Sequence, residues 1–270
     1  MQTTREERDE PVRFLDATQD DALLRLSPSL AEAVATAVAA GESPPTFGLR
    51  RQRPYVLLGP QDLRLPRIAE GAAWLEAQGL PVHQRVGGGA AVLLDDGCLS
   101  FFAAIPTQDI SRLDDNFRTL TLPVRSALQK LGVSVEFGRA PGSFCEGPQD
   151  LVSGGGRKIA GVSQALRRGY ALVSGMLLVR QDPVATTALL QEFYRRSGSG
   201  RQLRASAVTS LEAELGREVP LAELRPAIVR AAGEVGWDTD LGEIQPFELA
   251  QAKTLLALRR FAPPARSAQI

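Results

Sequence analysis

Histidine, cysteine and lysine are all scarce in this chain, and each scarcity removes a class of chemistry. Among 270 residues there is one histidine, His83, and there are two cysteines, Cys98 and Cys145. Two cysteines cannot build a disulfide scaffold, nor complete a cysteine-based zinc site by themselves. A His-assisted thiol would have a single possible donor. The only lysines are Lys130, Lys158 and Lys253, against 31 basic residues in all, so arginine carries most of the positive charge. Basic and acidic residues balance to a formal net charge of zero, so no overall field gathers nucleic acid or an acidic membrane surface. Continuous apolar runs are too short to span a bilayer. The opening MQTTREERDEPVRF is charged and lacks a signal peptide's apolar core. Together these features predict a soluble cytoplasmic protein with reduced thiols, binding neither nucleic acid nor membrane.

What is present is an ordinary globular composition, 44% hydrophobic and 23% charged, with length for one generous domain. Residues 1 to about 12 are polar and expected to be disordered, as is the tail APPARSAQI. ATQDDALLRLSPSLAEAVATAVAAG has helical spacing and a glycine stop. TFGLRRQRPYVLLGP reads as two short strands around a basic turn, and LPRIAEGAAWLEAQG as a helix closed by Gly79. VHQRV, AAVLLD and CLSFFAAI read as strands, and Asp96-Gly97 between the last two is a hairpin signal. DISRLDDNFRTLTLPVRSALQKLG is helical on both sides of Pro123, where a break is expected. VSVEFG is a strand, RKIAGVSQ and GYALVSGMLLV a strand pair, and the chain after Asp182-Pro183 is helical. The sum is an α/β (α+β) domain with a mixed, largely antiparallel sheet flanked by helices.

Candidate site residues cluster in two glycine-rich stretches. RVGGGAAVLLDDG places Gly87, Gly88 and Gly89 directly after a strand. No helix follows, so this is not the dinucleotide fingerprint. Three glycines let backbone approach a ligand and present N–H groups to an oxyanion or carbonyl; the plain alternative is a bulged strand connection. Arg85 beside them could pair with an anion or simply face solvent. APGSFCEGPQDLVSGGGRKIAG sets Cys145 in a turn-rich loop between Pro141-Gly142 and Gly147-Pro148. A second loop, Gly154 to Gly156, leads to Arg157 and Lys158, so a folded-back loop could bring a cation to the sulfur. The alternative is a buried, inert thiol, the reading that suits Cys98 in its apolar flank. His83 is read as structural or surface, and Asp95 and Asp96 as turn residues.

The two stretches together carry a resemblance. RVGGGAAVLLDDGCLSFF resembles the Arg-x-x-Gly-Gly-x-Ala-Val signature of the lipoate–protein ligase, octanoyltransferase and biotin–protein ligase superfamily, and GRKIAGVSQ resembles its Gly-x-Lys-Ile-x-Gly-x-x-Gln element. FGLRRQRPYVLLGPQD is similar to the segment near the start of these domains, and the likeness covers roughly residues 15 to 235. GSFCEGPQDL resembles the loop of the cysteine-dependent amidotransferases, and LLDDGCLSF their Leu-Asp-x-Gly-x-Leu segment. Three departures stand out: Val86-Gly87 where Asn-Ser is common, Leu166 where an arginine is common, and Cys98 for an aliphatic residue.

The resemblance implies a catalytic domain over residues 13–236, followed by a C-terminal helix and flexible tail over 237–270. It implies transfer of an octanoyl or lipoyl group from the glycine cleavage system H protein to lipoyl domains of 2-oxoacid dehydrogenases, with no cofactor and no metal. Cys145 would be the nucleophile and Lys158 would position the acyl carbonyl and help move protons. Arg85, Gly87, Gly88, Gly89 and Gly161 would bind substrate, and Val92, Leu94 and Phe101 would line an acyl tunnel. The alternatives are an octanoyl transferase fed by acyl carrier protein, an ATP-dependent lipoate ligase, and a non-catalytic lipoyl-domain binder.

Overall fold

The computed structural model describes residues 11–107, 113–237 and 239–262. The expected disordered ends lie outside these, apart from Pro11, Val12 and Ala262, as does the DISR segment before Leu113.

Among the described residues, eleven strands form two sheets. The larger contains β1 (Val12–Ala17), β2 (Thr46–Arg50), β6 (Cys98–Thr107), β7 (Val135–Gly138), β8 (Asp150–Ser153), β9 (Lys158–Arg167), β10 (Gly169–Leu178) and β11 (Thr239–Gly242). Its order is β11-β1-β2-β6-β10-β9-β8-β7. β1 runs parallel to both β2 and β11, and every other pairing is antiparallel. The smaller sheet is β4 (Val82–Gln84), β3 (Tyr55–Leu58) and β5 (Val92–Leu94), in that order. This is the mixed, largely antiparallel α/β arrangement that the sequence predicts.

Side chains alternate across a strand, and consecutive residues of β6 show the consequence. Phe101 joins Phe47, Leu49, Leu99 and Val173 in a core covered by α3 (Leu113–Lys130) and α6 (Leu221–Glu234). Phe102 points the other way, into a core with Leu15, Ala104, Ala165 and Leu172 beneath α1 (Asp21–Ala39). Close packing sets two glycines here: a Cβ at Gly48 would fall 2.3 Å from the Phe102 ring, and one at Gly175 would fall 2.1 Å from Phe101. The smaller sheet packs with α2 (Ile68–Ala77) and α4 (Pro183–Arg196) around a third core that contains Leu58, Leu75, Leu190 and Phe193. The short α5 (Leu211–Leu215) precedes α6. By length and composition α1 could cross a membrane, but 67% of its most apolar 18-residue window is buried inside the protein.

Three expectations change. The Asp96-Gly97 turn does not close a hairpin: β5 belongs to the small sheet and β6 to the large one. Gly97 lacks the positive φ that the favoured two-residue hairpin turns require of their glycine. Its carbonyl instead accepts N–H bonds from Val179 and Arg180, so the turn hands the chain from one sheet to the other. Pro123 does not break its helix, since α3 runs through it with Leu120, Thr121, Pro123, Val124, Ala127 and Leu128 buried. That burial outweighs the lost hydrogen bond, which costs roughly 3 kcal/mol. Finally, the chain after Asp182-Pro183 is not helical throughout, because β11 pairs with β1 at the sheet edge; β1 and β8 add two further strands to the same sheet.

The boundary expected at residue 236 falls between α6 and β11, and the chain beyond it packs on the main sheet. β11 extends that sheet beside β1, and α7 (Pro246–Arg259) lies on α1. Arg13 of β1 makes two bonds to the fully buried Glu248 of α7, at 3.0 and 2.5 Å, and Ser43 and the Gln245 N–H complete the carboxylate's shell.

Candidate active site

A cavity lies between the two sheets and beneath α1. Its floor is formed by Ser100, Gly161, Ser163, Ser174 and Met176, and its roof by Pro28 and Ala31 of α1 with Leu57, Val92 and Leu94 of the small sheet. Arg85, Cys145 and Lys158 all border it. Val92 and Leu94, expected to line an acyl tunnel, do line this cavity. Phe101 is not, because the strand's alternation turns it to the opposite core.

Cys145 is half-buried and its φ of +45° is the one positive value at a non-glycine among the described residues. That left-handed conformation costs about 1–3 kcal/mol and persists only where neighbours hold it. The holding group is Lys158. Its Nζ donates to the carbonyls of Phe144 at 3.1 Å and Cys145 at 2.8 Å, which flank the strained residue on either side. The third contact of Nζ is Asp150 Oδ2 at 2.9 Å, and both side chains are 1% exposed. Asp150 in turn accepts N–H bonds from Gly147 and Val162, tying the Cys145 loop to β9. Gly161 makes room for this arrangement, because a Cβ there would lie 3.0 Å from Lys158 Cε and Nζ. With three acceptors around it, Lys158 is committed to the loop. Phe144 anchors the same loop in the small-sheet core.

The cation that touches the sulfur is Arg85. Its Nη2 lies 3.2 Å from Cys145 Sγ, and the Ala90 N–H donates to the same sulfur at 3.2 Å. Arg157, expected to fold toward the thiol, pairs with Glu214 instead. Arg85 also bonds the carbonyls of Gly88 and Ala90, curling the glycine loop around its own guanidinium. Gly89 adopts φ +99°, and a Cβ there would fall 2.7 Å from both Sγ and Arg85 Nη2. Gly87 borders the cavity, whereas the Gly88 N–H is taken by the Gln164 carbonyl. The backbone donor nearest the sulfur is thus Ala90, one residue past the glycine triplet.

Two supporting residues escaped the sequence reading. Tyr194 Oη accepts from the Ala91 N–H at 3.1 Å and donates to Asp62 Oδ1 at 3.1 Å, while Asp62 Oδ2 accepts from the Gly59 N–H at 2.8 Å. Gly59 is pressed against the loop, since a Cβ there would meet the Gly89 carbonyl at 2.1 Å. Burial raises the Asp62 carboxyl's pKa, opposed by its bonds to Gly59 and Tyr194. The signal in the sequence is the GPQD segment after β3, which closes the FGLRRQRPYVLLGPQD stretch similar to the start of the superfamily's domains.

His83 and Cys98 border no part of the cavity. Burial and, secondarily, Arg260 lower the His83 pKa to about 4. Burial and nearby Asp95 push the Cys98 thiol well above its ordinary value, so it behaves as core.

Comparison with known proteins gives this geometry its family. Residues 26–233 match the lipoyl protein ligase A/B catalytic domain. The chain is 38% identical over 197 residues to "Octanoyl-[GcvH]:protein N-octanoyltransferase" of Kyrpidia tusciae, covering 69% of this chain and 68% of that protein. It is 32% identical to the protein of the same name from Geobacillus kaustophilus, covering 76% and 75% respectively. A solved bi-partite lipoate protein ligase from Thermoplasma acidophilum shares the fold, with a TM-score of 0.68 at 22% identity over 92% of each chain. The chain belongs to the lipoyl protein ligase A/B catalytic domain family, alongside relatives named octanoyl-[GcvH]:protein N-octanoyltransferase.

Proposed function

We propose that this protein is an octanoyltransferase that takes its acyl group from a lysine of the glycine cleavage system H protein and delivers it to a lysine of lipoyl domains. Relatives at 38% and 32% identity are named for the first half of that reaction. The observation that carries the mechanism is the position of Cys145 Sγ at the cavity mouth, between the Arg85 guanidinium and the Ala90 N–H.

In the first half-reaction Sγ attacks the amide carbonyl of the donor's acylated lysine. The C–S bond forms, the C–N bond breaks, and the thiol's proton leaves with the donor's ε-amine. In the second, the acceptor lysine's amine attacks the thioester, the C–N bond re-forms, and its proton returns to the departing sulfur. One amide is exchanged for another, so the chemistry requires no ATP. The donors that hold the sulfur, Arg85 and the Ala90 N–H, are the groups that would stabilise charge on the acyl oxygen as it develops. Lys158 acts by fixing both carbonyls around Cys145, so the nucleophile keeps its strained orientation. The cavity beyond receives the eight-carbon chain, each buried methylene contributing about 0.8 kcal/mol.

Purified protein incubated with octanoylated H protein and an unmodified lipoyl domain, without ATP, tests this reading. Octanoyl appearing on the lipoyl domain is the expected result. Transfer only from octanoyl acyl carrier protein moves the donor to that carrier, and transfer only with octanoate and ATP makes the protein a ligase.

A further inference from the structure

The acyl cavity is not apolar throughout. Arg50, at the end of β2, borders it and is only 7% exposed. Among the described residues its one side-chain hydrogen bond runs from Nη1 to the Ser27 carbonyl of α1, and its guanidinium lies 5.5 Å from the Phe102 ring centroid. No carboxylate of the described residues pairs with it, and Nε has no partner at all. Strand register sets Arg50 opposite Ser100, whose buried hydroxyl also borders the cavity and also lacks a partner. A buried guanidinium without an anion is costly, because neither water nor a counter-charge compensates it. Burial accordingly lowers the pKa of Arg50.

The sheet fixes where these groups lie relative to the thiol. Arg50 faces Ser100, Ser100 faces Met176, and Met176 faces Gly161, beside which Lys158 holds the Cys145 loop. Three strand spacings separate Arg50 from Gly161, roughly 14 Å. An extended eight-carbon chain spans about 9 Å, which leaves its far end within an arginine side chain's reach. An acyl group bound at Cys145 and extended across these strands ends beside a guanidinium that has no carboxylate among the described residues, and beside the Ser100 hydroxyl.

We propose that Arg50 and Ser100 form a carboxylate-binding subsite at the inner end of the acyl cavity, so that the protein takes medium-chain acyl groups bearing a terminal carboxylate as well as plain octanoyl. The proposal rests on the acyl-enzyme reading above. A terminal carboxylate supplies the missing counter-charge and accepts from both groups, whereas a terminal methyl leaves them unpaired. The transfer chemistry at the thiol is unchanged.

The test uses H protein acylated on its lysine with either octanoyl or suberyl, the eight-carbon chain ending in a carboxylate. Rates of adduct formation on the protein are read by intact mass. Wild type is expected to load suberyl at least as fast as octanoyl. Arg50→Met should lower the suberyl-to-octanoyl ratio about tenfold or more, and Ser100→Ala about threefold. A ratio that neither variant moves overturns the proposal, whichever chain the wild type prefers. An octanoyl adduct with no suberyl adduct overturns this proposal alone, and absence of both overturns the acyl-enzyme reading beneath it.

Discussion

Lys158 and Asp150 form an ion pair 2.9 Å long in which each side chain is 1% exposed. The pair joins the first residue of β9 to the first residue of β8, and the lysine's remaining bonds reach the two carbonyls around Cys145. Removing Asp150 leaves a buried charge uncompensated, so Asp150→Ala is expected to lose about 3–5 kcal/mol in urea unfolding. Octanoyl transfer should fall with it. An unchanged unfolding midpoint would mean that the pair does not hold the loop.

Gly89 and Gly88 are adjacent but should respond differently to alanine. At Gly89 the added methyl meets both Sγ and Arg85, and the φ of +99° disfavours any side chain. At Gly88 it meets nothing within 4 Å. Gly89→Ala should therefore change the rate at which iodoacetamide alkylates Cys145 and abolish most transfer, whereas Gly88→Ala should leave both near wild type. Equal effects at the two positions would contradict the placement of the sulfur against Gly89.

Tyr194→Phe isolates the role of the Tyr194 hydroxyl. The substitution keeps the ring's packing but removes the group that accepts from the Ala91 N–H and from Arg201 Nη1 and donates to Asp62. Leaving those partners unsatisfied should cost about 1–3 kcal/mol by thermal or urea unfolding. Transfer should weaken as well, because Ala90 and Ala91 set the loop that faces Cys145.

The single histidine gives a pH signature unrelated to catalysis. His83 is buried, its Nδ1 unpartnered, and its ring lies edge-on to Tyr55 at 5.8 Å. Its pKa is lowered by burial, and then by Arg260, from 6.5 to about 4. The unfolded chain thus takes up the proton first as pH falls. His83's contribution to stability is complete above about pH 6.5 and declines toward pH 4, with a slope of at most about 1.4 kcal/mol per pH unit. His83→Gln should flatten the unfolding free energy across that window, and an identical slope in the variant would contradict the shift.

The helices and the glycine-rich loops were legible because their signals are local. Helical spacing and Gly41 and Gly79 marked α1 and α2, and both glycines take the positive φ of a helix stop. The glycine-rich motifs also carry Cys145, Lys158 and Arg85 within short, local stretches. What stayed hidden was long-range pairing. β8 and β11 have four residues each, and β11 is partly exposed with little apolar pattern. β1 was lost at the edge of a polar leader. The Asp-Gly turn misled because its strands diverge, a choice made by partners elsewhere in the chain. Arg50 read as part of a basic surface turn, and only the strand register set it against Ser100 beneath α1.

The central claim is that Cys145 carries the acyl group. Incubation with octanoylated H protein in the absence of ATP, followed by intact-mass measurement, tests it directly. Wild type and Cys98→Ala should each gain one hydroxylamine-sensitive octanoyl group, and Cys145→Ala should gain none. An octanoyl adduct that persists in Cys145→Ala, or transfer to the lipoyl domain by that variant at the wild-type rate, would contradict the account.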